Sequence, residues 1–116
     1  MAYIAKDLTC TLRAGGSVGY NEWLYDTVDA LSDIYAAGYI SNACQPAAGA
    51  VGMEKGDLVR VRRWTTAIPT ATSEKRAADG AGNDMVSFTL HWVIGISATT
   101  GAADLTDGLA ITATNT

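Results

Sequence analysis

The sequence MVSFTLHWVIGIS, residues 85–97, is the strongest β-strand signal in the chain. Apolar side chains occupy alternate positions in it, with mostly polar residues between them. This period of two predicts an extended strand with its apolar side chains on one face. We therefore expect the face with Trp92 to line the core, His91 to point to solvent or a partner, and the strand to bend near Gly95. The six apolar residues are Val86, Phe88, Leu90, Trp92, Ile94 and Ile96.

A second strand is predicted at residues 58–64, upstream of this one. Val59 and Val61 alternate there with Arg60 and Arg62. This pattern is typical of a strand with one face on the core and one face in water. The arginines, with Arg63, form a basic cluster that could be a solvated edge, a contact for an acidic neighbouring subunit or a nucleic-acid contact.

The clearest helix signal covers residues 28–37. Its apolar residues recur at helical spacing, Thr27 is placed to cap the first turn, and Gly38 supplies a left-handed residue to end the helix. About ten residues are too few for a stable isolated helix, so this one must pack on the strands. The apolar stripe consists of Val28, Leu31, Ile34 and Tyr35.

The chain length, 116 residues, suits one domain. We expect an N-terminal arm or edge strand at residues 1–17, a β-rich core domain at 18–97, and a C-terminal arm with a possible short strand at 98–116. The expected fold class is mainly β with one short α-helix (α+β), as a small antiparallel β-sandwich or barrel-like domain with extended arms.

Composition narrows the class of function. Eight basic and twelve acidic residues give a net charge of −4, which argues against a nucleic-acid partner. No apolar run reaches the roughly 18 residues of a membrane span, and we expect neither a membrane partner nor a secretory signal. Ala and Thr make up 34 residues, so much of the chain has little to bury. These features favour a small structural or interaction protein.

The candidate chemical groups are few and each has a simpler explanation. His91 has no nucleophile motif around it, and the pair Asp29 and Asp33 fits a helix start. The acidic loop 79–84 lacks the spacing of a calcium site. Cys10 and Cys44 are either small apolar residues or a bridging pair. We therefore expect no catalytic residues, no cofactor and no metal, and no enzyme activity.

A longer pattern joins these elements in order. Trp23-Leu24-Tyr25-Asp26-Thr27-Val28-Asp29 precedes the helix, Ala36-Ala37-Gly38-Tyr39-Ile40 ends it, and Lys55-Gly56-Asp57-Leu58-Val59 opens the next strand. Over about residues 18–62 this resembles small structural proteins of tailed-bacteriophage virions, of the capsid decoration (cement) type. Residues 65–116 are not covered by the resemblance.

The resemblance implies a passive role. A protein of this kind would be made in the host cytoplasm, sit on the capsid exterior as a homo-oligomer, with a trimer favoured, and stabilise the major capsid protein lattice. Three alternatives stay open: another virion component such as a head-fibre base, tail or adaptor protein; a small ligand- or sugar-binding module using Trp64 and Trp92; and an enzyme. Lattice contacts are expected at Tyr3, Ile4, Leu8, Arg60, Arg62 and Arg63.

Overall fold

The computed structural model describes residues 3–69, 75–76 and 84–111. In this part of the chain six strands form one sheet, accompanied by a 3-10 turn at Ala5–Asp7 and a one-turn helix, α1, at Leu31–Ile34. The strands are β1 (Leu8–Ala14), β2 (Tyr20–Thr27), β3 (Leu58–Trp64), β4 (Met85–Ile96), β5 (Ala103–Leu105) and β6 (Leu109–Ile111).

The sheet has the order β1-β2-β3-β4, and both short strands pair with the remaining edge of β4. Residues 88–90 of β4 pair with β6, and residues 93–96 pair with β5. Strands β2 and β3 run parallel, whereas the other neighbours run antiparallel. The fold class predicted from the sequence, mainly β with one short helix, is confirmed.

The layer arrangement differs from an antiparallel sandwich or barrel. Parallel neighbours cannot be joined by a tight turn and need a crossover connection. Here residues 28–57 form it, and their buried side chains pack with those of the sheet in one core. We call the covered side of the sheet the inner face and the other side the outer face. The core consists of Trp23, Tyr25, Ile34, Tyr39, Ile40, Ala43, Met53, Val59, Val61, Val93, Ala103 and Leu105.

The prediction for the faces of β3 agrees with the structure, but the prediction for β4 is wrong. Val59 and Val61 are fully buried on the inner face. Because Val59 pairs with His91, His91 also lies on the inner face and is 1% exposed, whereas Trp92 is 53% exposed on the outer face. The crossover decides which face of the sheet is covered. On β4 it covers the side that carries fewer large apolar residues. A register shift between Val93 and Gly95 ends the regular alternation near the expected bend.

The helix is shorter than the predicted residues 28–37. Thr27 is still part of β2, paired with Arg63, and its hydroxyl accepts a hydrogen bond from Asp29 N at 2.9 Å. The Arg63 guanidinium also donates to the Asp29 carbonyl, and Ala30 is extended. These contacts hold the chain out of helical geometry until Leu31. Gly38 has the expected positive φ, at 71°.

Both terminal regions join the sheet where the structure describes them. The segment predicted as an arm or edge strand forms edge strand β1, and the expected C-terminal arm contributes β5 and β6. Residues 1–2 and 112–116 lie outside the described ranges, as does most of the loop 70–83.

A buried carboxylate ties the crossover to the sheet. Asp57 is 2% exposed, and its side chain accepts hydrogen bonds from Trp23 Nε1 at 3.0 Å, Glu54 N at 2.8 Å and Asn21 Nδ2 at 3.1 Å. Its carbonyl accepts from Val93 N at 3.0 Å. A buried carboxylate needs such donors to offset its lost hydration. Asp57 therefore joins β2, β4 and the end of the crossover.

Replacing this carboxylate should destabilise the fold strongly. Asp57→Ala leaves the donors on Trp23, Asn21 and Glu54 without their acceptor, and we expect the free energy of unfolding to fall by about 3 kcal/mol or more. Urea unfolding followed by fluorescence measures this. The control is Glu54→Ala, which removes an exposed carboxylate from the same cluster and should cost less than about 1 kcal/mol. Equal losses for the two variants would contradict this role of Asp57.

Candidate functional site

The outer face is the largest functional candidate in the described part of the chain. Its side chains form rows across the sheet, because cross-strand partners stand side by side. The rows are apolar on β4 and β6 and largely charged on β2 and β3. They run Ile111–Phe88–Arg62–Asp26, then Leu109–Leu90–Arg60–Leu24, then Trp92–Leu58–Glu22.

The first part of this face is an apolar surface that residues 3–69, 75–76 and 84–111 leave largely exposed. Trp92 is 53% exposed and Leu109 is 69% exposed, while Phe88 and Leu90 are half-buried. Contiguous apolar surface of this kind marks interaction sites in proteins. We call this part the apolar half, and it consists of Leu58, Val86, Phe88, Leu90, Trp92, Leu109 and Ile111.

The second part, the charged half, consists of Glu22, Asp26, Arg60 and Arg62. Arg62 holds Asp26 with two hydrogen bonds, of 2.7 Å from Nε and 3.0 Å from Nη2. The indole of Trp64 also donates to Asp26 Oδ1 at 3.0 Å. A two-pronged pair of this kind fixes both side chains in orientation.

Arg60 is held less completely. Its Nη2 lies 3.8 Å from Glu22 Oε1 and donates to Thr11 Oγ1 at 2.6 Å. Its Nε is buried and has no hydrogen-bond partner. Arg60 is therefore held by fewer bonds than Arg62, and its side chain is 32% exposed on the outer face beside Glu22.

The N-terminal candidates lie on the other side of the sheet. Tyr3 packs against the core, with its ring 5.4 Å from that of Tyr25, and its hydroxyl donates to Asn42 Oδ1 at 2.7 Å. Burial raises the pKa of Tyr3 far above its ordinary value. Leu8 also packs on the core, whereas the side chain of Ile4 is exposed. Tyr3 and Leu8 therefore anchor this segment to the core, and of the three candidates Ile4 alone has an exposed side chain.

Arg63 is separate from its two neighbours in sequence. Its Nε donates to the Asp29 carbonyl at 2.9 Å, and its Nη1 lies 3.3 Å from Ser87 Oγ. The structure therefore brings Arg60 and Arg62 together on the outer face, but it does not bring all six predicted contact residues onto one surface.

His91 occupies a closed polar niche on the inner face, contrary to the predicted exposed position. Its Nδ1 lies 2.8 Å from the Thr106 carbonyl, and its Nε2 lies 2.8 Å from Thr89 Oγ1. A carbonyl only accepts, so Nδ1 carries the proton and Nε2 accepts from Thr89. Gly108 fits against the ring, since a Cβ there would lie 2.6 Å from His91 Cε1. The imidazole thus fastens the chain between β5 and β6.

A tyrosine cluster fills the inner face near α1. The Tyr39 hydroxyl donates to Asp29 Oδ2 and lies 3.1 Å from the Tyr25 hydroxyl. Burial, followed by the bonds to Asp29 and Tyr25, raises the pKa of Tyr39 far above its ordinary value. The Asp29 carboxylate therefore has a structural hydrogen-bond partner, as the carboxylates of Asp26 and Asp57 do.

The described residues form neither a metal-binding group nor a disulfide. Among them no group of three or more His, Cys, Asp or Glu could hold a metal ion. Cys10 and Cys44 are both free thiols. Most of the acidic loop 79–84 considered for calcium, including Asp79, lies outside the described ranges.

The two tryptophans considered for sugar stacking are not brought together. Trp92 pairs with Leu58 at the start of β3, and Trp64 pairs with Met85 at its end. Six residues of strand separate the two positions by about 20 Å. Trp64 is also buried, so the described residues do not form a joint stacking platform from this pair.

Comparison with known proteins adds no assignment. No family model matches the chain, and no curated protein or solved structure matches it. Within residues 3–69, 75–76 and 84–111, no helix has the length and apolar character needed to cross a membrane.

Neither the exposure of the apolar half nor the buried role of Asp57 is predicted by the sequence pattern. The alternation in β4 signals an apolar face, but it does not say whether that face is covered. The sequence does indicate which face of β3 is buried, because valines and arginines alternate along that strand. Only the β3–β4 register carries that information to β4, and register is not visible in one sequence.

The His91 niche predicts that stability falls in mild acid. Burial lowers the pKa of His91, against opposing effects of the Thr106 carbonyl and Asp107. The unfolded chain binds its proton near pH 6.5, while the folded chain stays neutral there, so the unfolded state binds more protons. Stability is therefore lost as the pH falls below 6.5, by at most about 1.4 kcal/mol per pH unit for this group.

Urea unfolding at pH 7.5, 6.5 and 5.5 measures this dependence. His91→Asn keeps a donor toward the Thr106 carbonyl but cannot titrate, so its stability should change less over this interval. The same slope in wild type and variant would show that His91 does not cause the loss.

Proposed function

We propose that this chain is a structural virion protein that binds the assembled phage capsid lattice from outside and stabilises it. The observation that carries the proposal is the outer face. In the described part of the chain the sheet is covered on one side by its own crossover and not on the other, where apolar area lies beside fixed ion pairs. Surfaces of this composition serve protein–protein contact. The resemblance in residues 18–62 supplies the kind of partner.

The charged half gives this surface its orientation on the lattice. Arg62 and Asp26 are locked together, whereas Arg60 makes a longer ion pair with Glu22 and its side chain is 32% exposed, so its charge is available to a partner group. Charged groups at a contact set register and discriminate against wrong partners more than they add affinity. The expected lattice contacts at Arg60 and Arg62 therefore belong to one surface, and Ile4 is a separate candidate.

Stabilisation of a shell by such a protein requires no catalytic step. Each bound copy adds contacts between neighbouring shell subunits, so binding shifts the equilibrium toward the assembled form. The lattice repeats the same site many times, and modest affinity at each site is enough for a large total effect.

Co-sedimentation with empty, expanded capsid shells of the phage that encodes the chain tests this function. We expect the wild-type protein to pellet with shells and to stay in solution with unassembled coat subunits. Arg60→Glu should weaken pelleting by about tenfold, equivalent to about 1.4 kcal/mol, because it reverses the available charge.

The control is Lys55→Glu, which makes the same charge change at an exposed turn before β3. It should pellet as the wild type does, and circular dichroism verifies that both variants are folded. A wild-type protein that stays in the supernatant at excess shell sites would overturn the proposed function.

A further inference from the structure

We propose that residues 107–111 form a flap that lifts from the sheet in mild acid, hinged at Thr106 and kept closed by the neutral ring of His91. The flap comprises the end of the β5–β6 connection and the whole of β6. The loss of stability derived above concerns unfolding of the whole chain. The flap goes beyond that loss and beyond the proposed function, because one segment opens while the rest of the sheet stays folded.

Few contacts hold the flap in place. Strand β6 meets β4 at three register positions, and all three of its residues are exposed. Leu109 is 69% exposed and Ile111 is 53% exposed, so lifting the flap removes little apolar surface from contact. Segments with few buried apolar contacts open locally at a lower free-energy cost than the whole fold does.

Thr106 is fixed to β4 and gives the flap its hinge. Its N–H donates to the Trp92 carbonyl at 3.1 Å, and its Oγ1 accepts a hydrogen bond from Trp92 N at 3.1 Å. Beyond Thr106, Gly108 has a φ of 104°, a backbone conformation that other residues rarely adopt. The chain is therefore attached up to Thr106 and turns at Gly108 before it enters β6.

The His91 ring couples the flap to the acidity of the solvent. The residue is 1% exposed, and Gly108 lies so close to the ring that a Cβ there would be 2.6 Å from Cε1. Since Nδ1 already carries the proton, a second proton has to bind Nε2, which now accepts from Thr89. The positive charge would then be enclosed without water, which is costly. Lifting Gly108 from the ring hydrates that charge.

The surroundings of His91 give a protonated ring little compensation in the closed form. Val59 beside it on β3 and Thr89 on its own strand do not titrate. Asp57, which precedes β3, directs its carboxylate to donors on β2. Burial lowers the pKa of His91, and the hydrogen bond to a backbone carbonyl and the charge of Asp107 oppose this effect only in part.

Proton binding therefore favours the open form. In the open form His91 regains water and its ordinary pKa, whereas in the closed form it binds a proton only at lower pH. Between pH 7.5 and 5.5 the ratio of open to closed molecules rises by up to about tenfold. Opening frees the backbone groups of residues 88–90 on β4 that β6 pairs in the closed form. An unpaired strand edge of this kind is a template for pairing with another strand.

Amide hydrogen exchange of the full chain, followed by NMR at pH 7.5 and 5.5, tests the flap. Protection factors are corrected for the intrinsic pH dependence of exchange, so they report the opening equilibrium. We expect the amides bonded between β4 and β6 to be at least about tenfold less protected than those between β2 and β3. At pH 5.5 they should lose a further factor of about three to ten, whereas in His91→Asn, which cannot titrate, the loss should be less than about twofold.

Two alanine variants separate opening of the flap from unfolding of the whole chain. Gly108→Ala places a methyl group against the His91 ring and should lower the protection between β4 and β6 at pH 7.5 by about tenfold or more. The matched control Gly16→Ala has a similar φ, 96°, in the β1–β2 turn, where no atom lies within 4 Å of the added Cβ. Its backbone strain persists when the flap opens, so the protection between β4 and β6 should stay unchanged.

Three results would overturn the flap. The first is equal protection of the β4–β6 amides and the β2–β3 amides. The second is a loss at pH 5.5 that is absent from the wild-type protein or that His91→Asn shares. The third is an equal effect of the two alanine variants on the β4–β6 amides. None of these results bears on the pelleting of the protein with shells, so failure of one proposal is distinguishable from failure of the other.

Discussion

The parallel pairing of β2 with β3 is the constraint on which the rest of the structure depends. Two parallel neighbours force the chain to travel back along the sheet, and residues 28–57 make that passage over one face. Once this connection is in place, the face beneath it is the core and the other face has no cover within the described chain. The burial of His91 and the exposure of Trp92 both follow from this one choice.

Hydrogen bonds from buried polar groups hold the crossover in place on the sheet. Asp57 gathers donors from β2 and from the end of the crossover, while Asp29 receives the hydroxyl of Tyr39. Arg63 reaches from β3 to the Asp29 carbonyl. Each of these buried acceptors has its donors, so these groups specify where the crossover lies.

The difference between the two faces of the sheet underlies the proposed function. The inner-face side chains pack with the crossover in one core, so within the described residues the outer face is the side of the sheet available for contact. There the charges stand on β2 and β3, whereas most of the apolar surface lies on β4 and β6. The outer face therefore carries a charged surface and an apolar surface side by side.

Sequence alone determined the fold class, the strands at residues 58–64 and 85–97, the dry face of β3 and the turn at Gly38. These follow from side-chain periodicity and from the conformational freedom of glycine, which are local properties. It could not determine that β2 and β3 run parallel, that β4 pairs Val59 with His91, or that the helix begins only at Leu31. Those outcomes depend on contacts between distant segments. Strand alternation says that two faces differ, but only the path of the crossover decides which of them is buried.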